Sequence, residues 1–383
     1  MEKDKKTYLK TLFSGNIRQY TMLIALIGIW LIFSVLTKGV FISPRNLSNL
    51  FLQSVAVAIV AVGMTFIIVT RNIDLSVGSV AAFTGAVAAF LQVKLGWPTG
   101  FALLASVLSG LLIGVWHGFW SGYRLVPSFI VTLASMMIFR GAVLGITKGE
   151  TIAPLSDTFR LIGQHYLSHK FSIAVGVLTI ICFIIYDLNR RRQRVKYGFA
   201  VSSIFRQSLR ILFVVAAIVA FFTILISNRG VPYSVLLLML LAFIFHFIAK
   251  NTVFGRQLYA IGGNPDAATL SGVNINKKIM FMFMIFGVIT AVSGIVLTSR
   301  LNAATTSAGQ GMELDVIAAV VIGGTSLLGG EGTVLGSVIG ALIMASLDNG
   351  MSLMDTEITY QYIIKGMILL LAVWMDIATK KRT

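Results

Sequence analysis

The sequence predicts an all-α fold, a polytopic transmembrane helical bundle of about 10–12 spans with discontinuous or re-entrant helices allowed, and three observations carry that prediction. First, only 12% of the 383 residues are charged and 57% are hydrophobic. A soluble domain carries about 25% charged residues. So little polar surface cannot coat a globule in water, whereas a lipid-facing exterior needs none. Second, residues 19–37, 46–70, 75–93, 95–123, 211–228, 230–249 and 279–299 contain no Asp, Glu, Lys or Arg. Several of these runs reach the ~20 residues that cross a hydrocarbon core. Third, the basic residues gather in short segments between the runs, as the positive-inside bias distributes them.

In chain order, the candidate helices lie at 19–37, 50–70, 75–93, 99–119, 126–147, 171–187, 211–228, 231–249, 279–299, 313–329, 332–347 and 358–376. The first follows a charged tail, 1–18, and has no small-residue cleavage site, so it is expected to be a retained span. The last three are short or interrupted by Lys365. Residues 19–379 are expected to form one membrane-embedded domain, with a basic loop at 189–210, a second basic segment at 251–278 and a tail at 380–383. Lys3, Lys5, Lys6, Lys10 and Arg18 precede the first span; Arg190, Arg191, Arg192, Arg194 and Lys196 follow the sixth. Lys250, Arg256, Lys277 and Lys278 flank 251–278, and Lys380, Lys381 and Arg382 end the chain. Twelve spans put all four segments on one side, which the bias makes cytoplasmic, as in an inner-membrane protein. The same parity puts 148–170, with Glu150, Asp157, His165 and His169, outside; a plain connector and a docking surface both fit it. A short echo, Ser76-Val-Gly-Ser-Val against Leu335-Gly-Ser-Val-Ile, is too brief to establish duplicated halves.

Several function classes drop out. The net charge of +17 comes without a basic face or interleaved stacking aromatics, which argues against nucleic acid. The chain has no G-x-x-x-x-G-K-[ST] phosphate cradle, no metal-ligand spacing among His117, His165, His169 and His246, and no nucleophile elbow. It is expected to be no enzyme and to hold no cofactor of its own. The single cysteine, Cys182, lies in an apolar run and permits no intrachain disulfide.

Three segments interrupt the apolar pattern. In Arg71-Asn-Ile-Asp-Leu-Ser-Val-Gly-Ser79, a carboxylate sits among Asn, Ser and Gly between two long spans. Asn72, Asp74 and Ser76 are candidate pathway residues if the break lies at membrane depth, where bare backbone survives only inside protein or beside water. Asp74 as a surface N-cap is the plain alternative, and both can hold. In Tyr259–Asn274, Asn264 can cap a helix of about two turns with Pro265 first, Asp266 in the first turn and an end near Gly272. Ala267 and Ala268 keep it slim, and it is too short to stand alone, so docking in a partner's groove is one reading and a membrane-surface turn the other. In Gly311–Gly330, Glu313 and Asp315 enter an apolar run that ends with Thr325, Ser326 and paired glycines, and Ser346–Met351 adds Asp348 and Asn349. Carboxylates at a span's edge need water or a partner. Trp97, Trp116, Trp120 and Tyr123 are expected to be interfacial belts rather than ligand-stacking faces.

At these segments the chain resembles the ribose/xylose/galactose permease family of bacterial ABC importers, through Asn72-Ile-Asp-Leu-Ser-Val-Gly-Ser, Tyr259-Ala-Ile-Gly-Gly-Asn and Glu313-Leu-Asp-Val-Ile-Ala-Ala-Val-Val-Ile-Gly-Gly-Thr-Ser. Tyr123-Arg-Leu-Val-Pro-Ser128-Phe, Ile162-Gly-Gln-His-Tyr-Leu, Ala345-Ser-Leu-Asp-Asn-Gly-Met, Gly366-Met-Ile-Leu-Leu-Leu-Ala-Val-Trp-Met-Asp and the basic insert near 189–210 resemble its xylose branch. Ser128 joins the candidate pathway residues from that stretch. Where the commoner family form has Gly-Gly, this chain has Arg71-Asn72.

The resemblance implies passage of a monosaccharide, D-xylose in that branch, through a homodimer of permeases. It further implies two ATPase subunits carrying ATP and Mg on the cytoplasmic face, and an extracytoplasmic sugar-binding protein. It places Gly262, Gly263, Asn264, Pro265, Asp266, Ala267, Ala268 and Gly272 in the segment that couples to the ATPase. An ion-coupled secondary sugar transporter is the first rival, with Glu313, Asp315 and Asp348 as its titrating set; a membrane lipid or glycan transferase is the second.

Overall fold

The computed structural model describes residues 17–199, 201 and 203–380. The basic residues expected at the extreme termini, Lys3 to Lys10 and Lys381 to Arg382, lie outside these. Regular structure among the described residues is helical apart from two isolated bridges. The helices are α1 (Ile17–Leu36), α2 (Pro44–Val69), α3 (Val77–Ala89), α4 (Thr99–Gly118), α5 (Ser128–Thr147), α6 (Asp157–Gln164), α7 (His169–Lys196) and α8 (Ile204–Asn228). There follow α9 (Tyr233–Asn251), α10 (Val253–Gly263), α11 (Pro265–Leu270), α12 (Ile275–Leu301), α13 (Met312–Ile322), α14 (Val334–Leu353) and α15 (Ile358–Lys380). Single π-helical turns, Phe90–Lys94 and Phe119–Tyr123, extend α3 and α4. Among the described residues ten helices are long and apolar enough to cross a membrane, and Thr21–Leu36 is a shorter apolar one.

The bundle is built around α2. Its N-terminus is set by Ser43, which accepts from the Asn46 amide, with Pro44 at the first turn where a missing N–H costs nothing. Of its apolar window 83% is buried, against 11% for α8 and for α15, so α2 is the axis and those two form the periphery. Small residues let the inner helices touch backbone to backbone. A Cβ on Gly110 of α4 would strike the Gly287 carbonyl of α12, and one on Gly287 would strike the Gly110 carbonyl. Hydroxyls stitch the centre: Thr65 of α2 meets Ser337 of α14 at 2.7 Å, and Ser293 of α12 donates to the Ala56 carbonyl at 2.7 Å.

The two ends of the bundle are distinct. At the far end, Ile152 pairs with Ala304, and Tyr166 with Pro232. At the other, the basic end, lie the turn after α7 and the α9–α12 connection. The basic insert is more helical than expected: α7 carries its arginines out to Lys196 and α8 begins at Ile204, so 189–196 and 204–210 of the expected loop 189–210 are helix. Asp187, buried on α7, accepts from Gln207 at 2.7 Å and pairs with Arg210, both on α8. The expected external loop 148–170 contains α6, whose Phe159 is fully buried and whose Gly163 amide donates to Ser299 of α12 at 2.8 Å, so one side of it packs on the bundle.

The candidate span 313–329 is corrected. Helix stops at Ile322 because Gly323, Gly324, Gly329 and Gly330 follow, three of them at positive φ (+82°, +83° and +76° for Gly324, Gly329 and Gly330). Residues 302–333 still run from the far end to the basic end, with only eleven residues helical. On the way, Arg140 of α5 donates to the Thr306 and Ala308 carbonyls at 3.1 and 2.9 Å, supplying the partners that a helix would have supplied. The next helix is longer than expected: α14 runs to Leu353, so Ser346–Met351 lies within it instead of ending it at 347.

Candidate functional site

The segment 251–278 folds as the capping residues dictate. Thr252 accepts from the Gly255 amide to open α10, and Asn264 accepts from the Ala267 amide at 3.0 Å to open α11 behind Pro265. Gly272, at φ +80°, turns the chain out of α11, and Asn274 caps α12 by accepting from the Lys277 amide. The six-residue α11 presents Asp266, Ala267, Thr269 and Leu270 outward; Leu270 is 90% exposed. Ala268 points the other way, 4% exposed and packed in the bundle core. The expectation that Ala268 offers a slim outer face is thereby corrected: its place is filled by the chain itself, and Ala267 is the small residue on the outside.

At the same end, the break after α2 is a compact polar knot. Asp74, buried, accepts from the Ser76 amide and hydroxyl at 2.8 and 2.6 Å, and its second oxygen lies 3.4 Å from Nδ1 of buried His117. Ser128 and Thr132, on the first turns of α5, accept from the Ile73 and Leu75 amides, each at 3.1 Å. Asn72 donates to the carbonyl and hydroxyl of Thr70, both at 3.1 Å. Backbone that has left the helix is thus supplied with partners from inside the protein, which is the condition for its survival at membrane depth.

Arg71 joins the two regions. Its Nε donates to the Gly262 carbonyl at 2.7 Å and its terminal nitrogen to the Gly263 carbonyl at 2.9 Å. These are the last carbonyls of α10, where a cation is favoured by the helix dipole. Close glycines complete the joint: a Cβ on Gly262 would collide with the Val69 carbonyl, and the Gly330 amide donates to that carbonyl at 2.8 Å. Tyr259 of α10 donates its hydroxyl to the Gly332 carbonyl at 2.8 Å, and burial pushes its pKa up to about 12. Arg71 adopts φ +63°, a left-handed conformation that costs a non-glycine residue roughly 1–2 kcal/mol. Two hydrogen bonds from an exposed guanidinium, at about 0.5–1.5 kcal/mol each, roughly offset that cost. The net stability from Arg71 is therefore small, and what remains is a mechanical tie.

A second polar centre lies deeper, between α13, α14 and α15. Lys365 lies 2.8 Å from Asp348 and 3.1 Å from Asp315. Beside it is a cavity of about 160 Å³ lined in part by Gln310, Asp315, Gln361, Tyr362 and Lys365. Lys365, Asp315 and Asp348 keep 21%, 15% and 37% of their side-chain surface exposed, and charge partly withdrawn from water needs such pairing. Asn349, one residue on, exchanges hydrogen bonds with Asn46 at 2.7 and 3.1 Å and fastens α14 to α2. Glu313, on the first turn of α13, faces Gly78, where a Cβ would press on its carboxylate at 2.6 Å.

Residues 46–373 match the family model described as branched-chain amino acid transport system / permease component. The chain belongs to this permease family. It is 48% identical over 379 residues, covering 97% of this chain and 95% of the other, to the xylose transport system permease protein XylH of Escherichia coli (strain K12). It is 46% identical to the protein of the same name in Haemophilus influenzae, covering 96% and 98% of the two chains. It is 35% identical to the ribose import permease protein RbsC of Haemophilus influenzae, covering 94% and 93%. No solved structure matches the chain. Its apolar helices and this family membership make the permease a multi-pass protein of the inner membrane.

The residues singled out in the sequence fall into three groups in the permease. Asn72, Asp74, Ser76 and Ser128 come together as the hydrogen-bonding partners of the break at 70–76. Thr325 and Ser326, fully buried, belong to the glycine turn, where Ser326 donates to Asp376 at 3.1 Å. Asp315 and Asp348 meet through Lys365. Sequence reasoning missed Arg71 as a tie, Thr132, Arg140 and His117 as supports, and Gln310, Gln361 and Tyr362 around the cavity. Lys365 was legible as a lone cation in an apolar run, though its two carboxylate partners lie on other helices. Trp97, Trp116 and Tyr123 are exposed on the connection before α4, on α4 and on its π turn, whereas Trp120, edge-to-face with Trp116, is half-buried; none of the four lines the 160 Å³ cavity.

Proposed function

We propose that the permease is the membrane subunit of an ABC importer that passes xylose into the cytoplasm, driven by ATP and Mg on separate ATPase subunits. In this reading two copies pack as a homodimer, the basic end is cytoplasmic, and a sugar-binding protein delivers cargo at the far end. The names of the two relatives at 46% and 48% identity support xylose. The Arg71 joint supports coupling: a push on the outward face of α11 reaches Gly262 and Gly263, and from there the break at 70–76 and the turn at 329–332, through hydrogen bonds of 2.7–2.9 Å. Binding energy at the ATPase can be converted into movement of the helices only if such contacts are discrete and stiff.

The ion cluster at Lys365 favours one rival, ion-coupled transport, because carboxylates within a bundle are the groups that such carriers titrate. The test that divides the two is Leu270→Asp in the assembled importer. The substitution lies on the exposed face of α11 and leaves the bundle packing alone. The ATP-driven reading expects xylose uptake and xylose-stimulated ATP hydrolysis to fall at least about tenfold with the permease still inserted. Unchanged uptake would contradict it. A strain lacking the chain should lose xylose uptake and keep ribose uptake.

A further inference from the structure

At the basic end a cavity of about 290 Å³ opens between α9, α10 and the start of α14. Its lining includes His246 and Lys250 from α9, Arg256 and Tyr259 from α10, and Thr333 and Val334 from α14. Lys250 and Arg256 bring two positive charges, the lining holds no carboxylate, and neither cation has a carboxylate partner within 4 Å among the described residues. Glu331, the acid nearest in sequence, does not line it. The amides of the first turn of α14 add positive potential to the same space, although Thr333 already caps one of them, that of Gly336, at 3.1 Å. Tyr259 is spent on the Gly332 carbonyl and forms wall. The cavity is built for an anion.

The helix that supplies Lys250 also supplies an apolar track. Leu240, Phe243 and Phe247, 55%, 70% and 52% exposed, follow one another at helical spacing and lead on the same face to Lys250. From Leu240 to Lys250 is about 15 Å at 1.5 Å per residue, the depth of one leaflet of a ~30 Å hydrocarbon core. A soluble anion has no use for that stripe. An anionic phospholipid uses both, its chain along the phenylalanines and its phosphate between the cations.

We infer that this cavity is a binding site for the headgroup of an anionic phospholipid, held by Lys250 and Arg256 and tracked by Phe243 and Phe247. It is a site on the permease alone and does not depend on what the permease transports. The test is native mass spectrometry of the purified full-length chain with dioleoylphosphatidylglycerol, dioleoylphosphatidylcholine or inorganic phosphate added. The site predicts retention of the glycerol lipid about tenfold or more above the choline lipid, no displacement by millimolar phosphate, and a drop of roughly thirtyfold in Lys250→Gln/Arg256→Gln, since each of the two basic residues contributes about 1 kcal/mol near a surface. Phe243→Ala/Phe247→Ala should weaken retention independently, and both variants should melt with wild-type midpoints in the choline lipid, so that a loss is not misfolding. Equal retention of the two lipids, or unchanged retention in the charge variant, would overturn the assignment. So would displacement by phosphate, which would make the site one for soluble anions, or loss of the lipid when the ATPase is added, which would give the cavity to that subunit.

Discussion

The chain leaves helical geometry twice inside the bundle, and the two places are finished with different chemistry. At 70–76 the freed backbone is closed over: Ser128 and Thr132 take its amides, Asp74 caps its own turn, and Asp74, Ser76 and Thr132 are almost wholly buried. Between 302 and 333 the chain is held by Arg140 and by glycine contacts, and the neighbouring charges of Asp315, Asp348 and Lys365 stand beside a cavity. The first break is tied by Arg71 to α10 and its polar groups are spent on its own backbone; the second stands beside a cavity with fixed polar groups. One is suited to transmitting movement and the other to meeting a polar solute. The echo between Ser76–Val80 and Leu335–Ile339 gains a physical content here, since each begins a helix after a break and each has a glycine, Gly78 or Gly336, pressed against another glycine's carbonyl.

The largest effect that would test this contrast lies at the second break. Lys365→Met leaves two carboxylates without their cation and should cost about 3 kcal/mol or more in stability, read as a fall in the thermal midpoint; adding Asp315→Asn should restore part of it. An unchanged midpoint would mean that the charges are already solvated. Next, Thr132→Val removes the acceptor for the Leu75 amide in a dry site and should cost about 2 kcal/mol, with uptake per folded molecule unchanged. If water entered and the loss were negligible, the first break would not be closed.

How far these places could be read in the sequence follows from the range of the forces involved. Uncharged runs are local, so the long spans and the Asn264–Gly272 helix were legible from hydropathy and caps. The stopping of α13 at Ile322 was signalled by Gly323 and Gly324, but a run of apolar residues on either side masked it. Partners separated by tens or hundreds of positions were not legible: Lys365 lies 50 residues from Asp315 in the chain, and Arg71 lies 191 from Gly262. The direction of Ala268 was missed for a related reason, since a two-turn helix with small residues on both faces carries no amphipathic signal.

Smaller effects sharpen the role of the tie. Arg71→Gly should shift stability by less than about 0.5 kcal/mol, because the lost hydrogen bonds and the relieved φ nearly cancel. The ATP hydrolysed per xylose imported should nevertheless rise several-fold, and a normal ratio would remove Arg71 from the coupling route. The last is Tyr259→Phe. Burial raises the folded pKa of Tyr259 from 10.0 to about 12. Its stabilising contribution is therefore complete below pH 10 and is lost as pH climbs through about 12. The variant should show a shallower alkaline loss of stability in that window and, at neutral pH, only the loss of about 0.5–1.5 kcal/mol from the missing hydrogen bond to Gly332.

The central claim is that the chain moves solute only when another subunit's ATP hydrolysis moves the chain. It is tested most directly by radiolabelled xylose uptake into proteoliposomes holding the purified chain alone, or with its ATPase and binding protein. The account predicts uphill uptake only in the complete assembly with ATP and Mg inside the reach of the ATPase, and none for the chain alone under any proton or sodium gradient. Accumulation by the chain alone on an imposed ion gradient would contradict it.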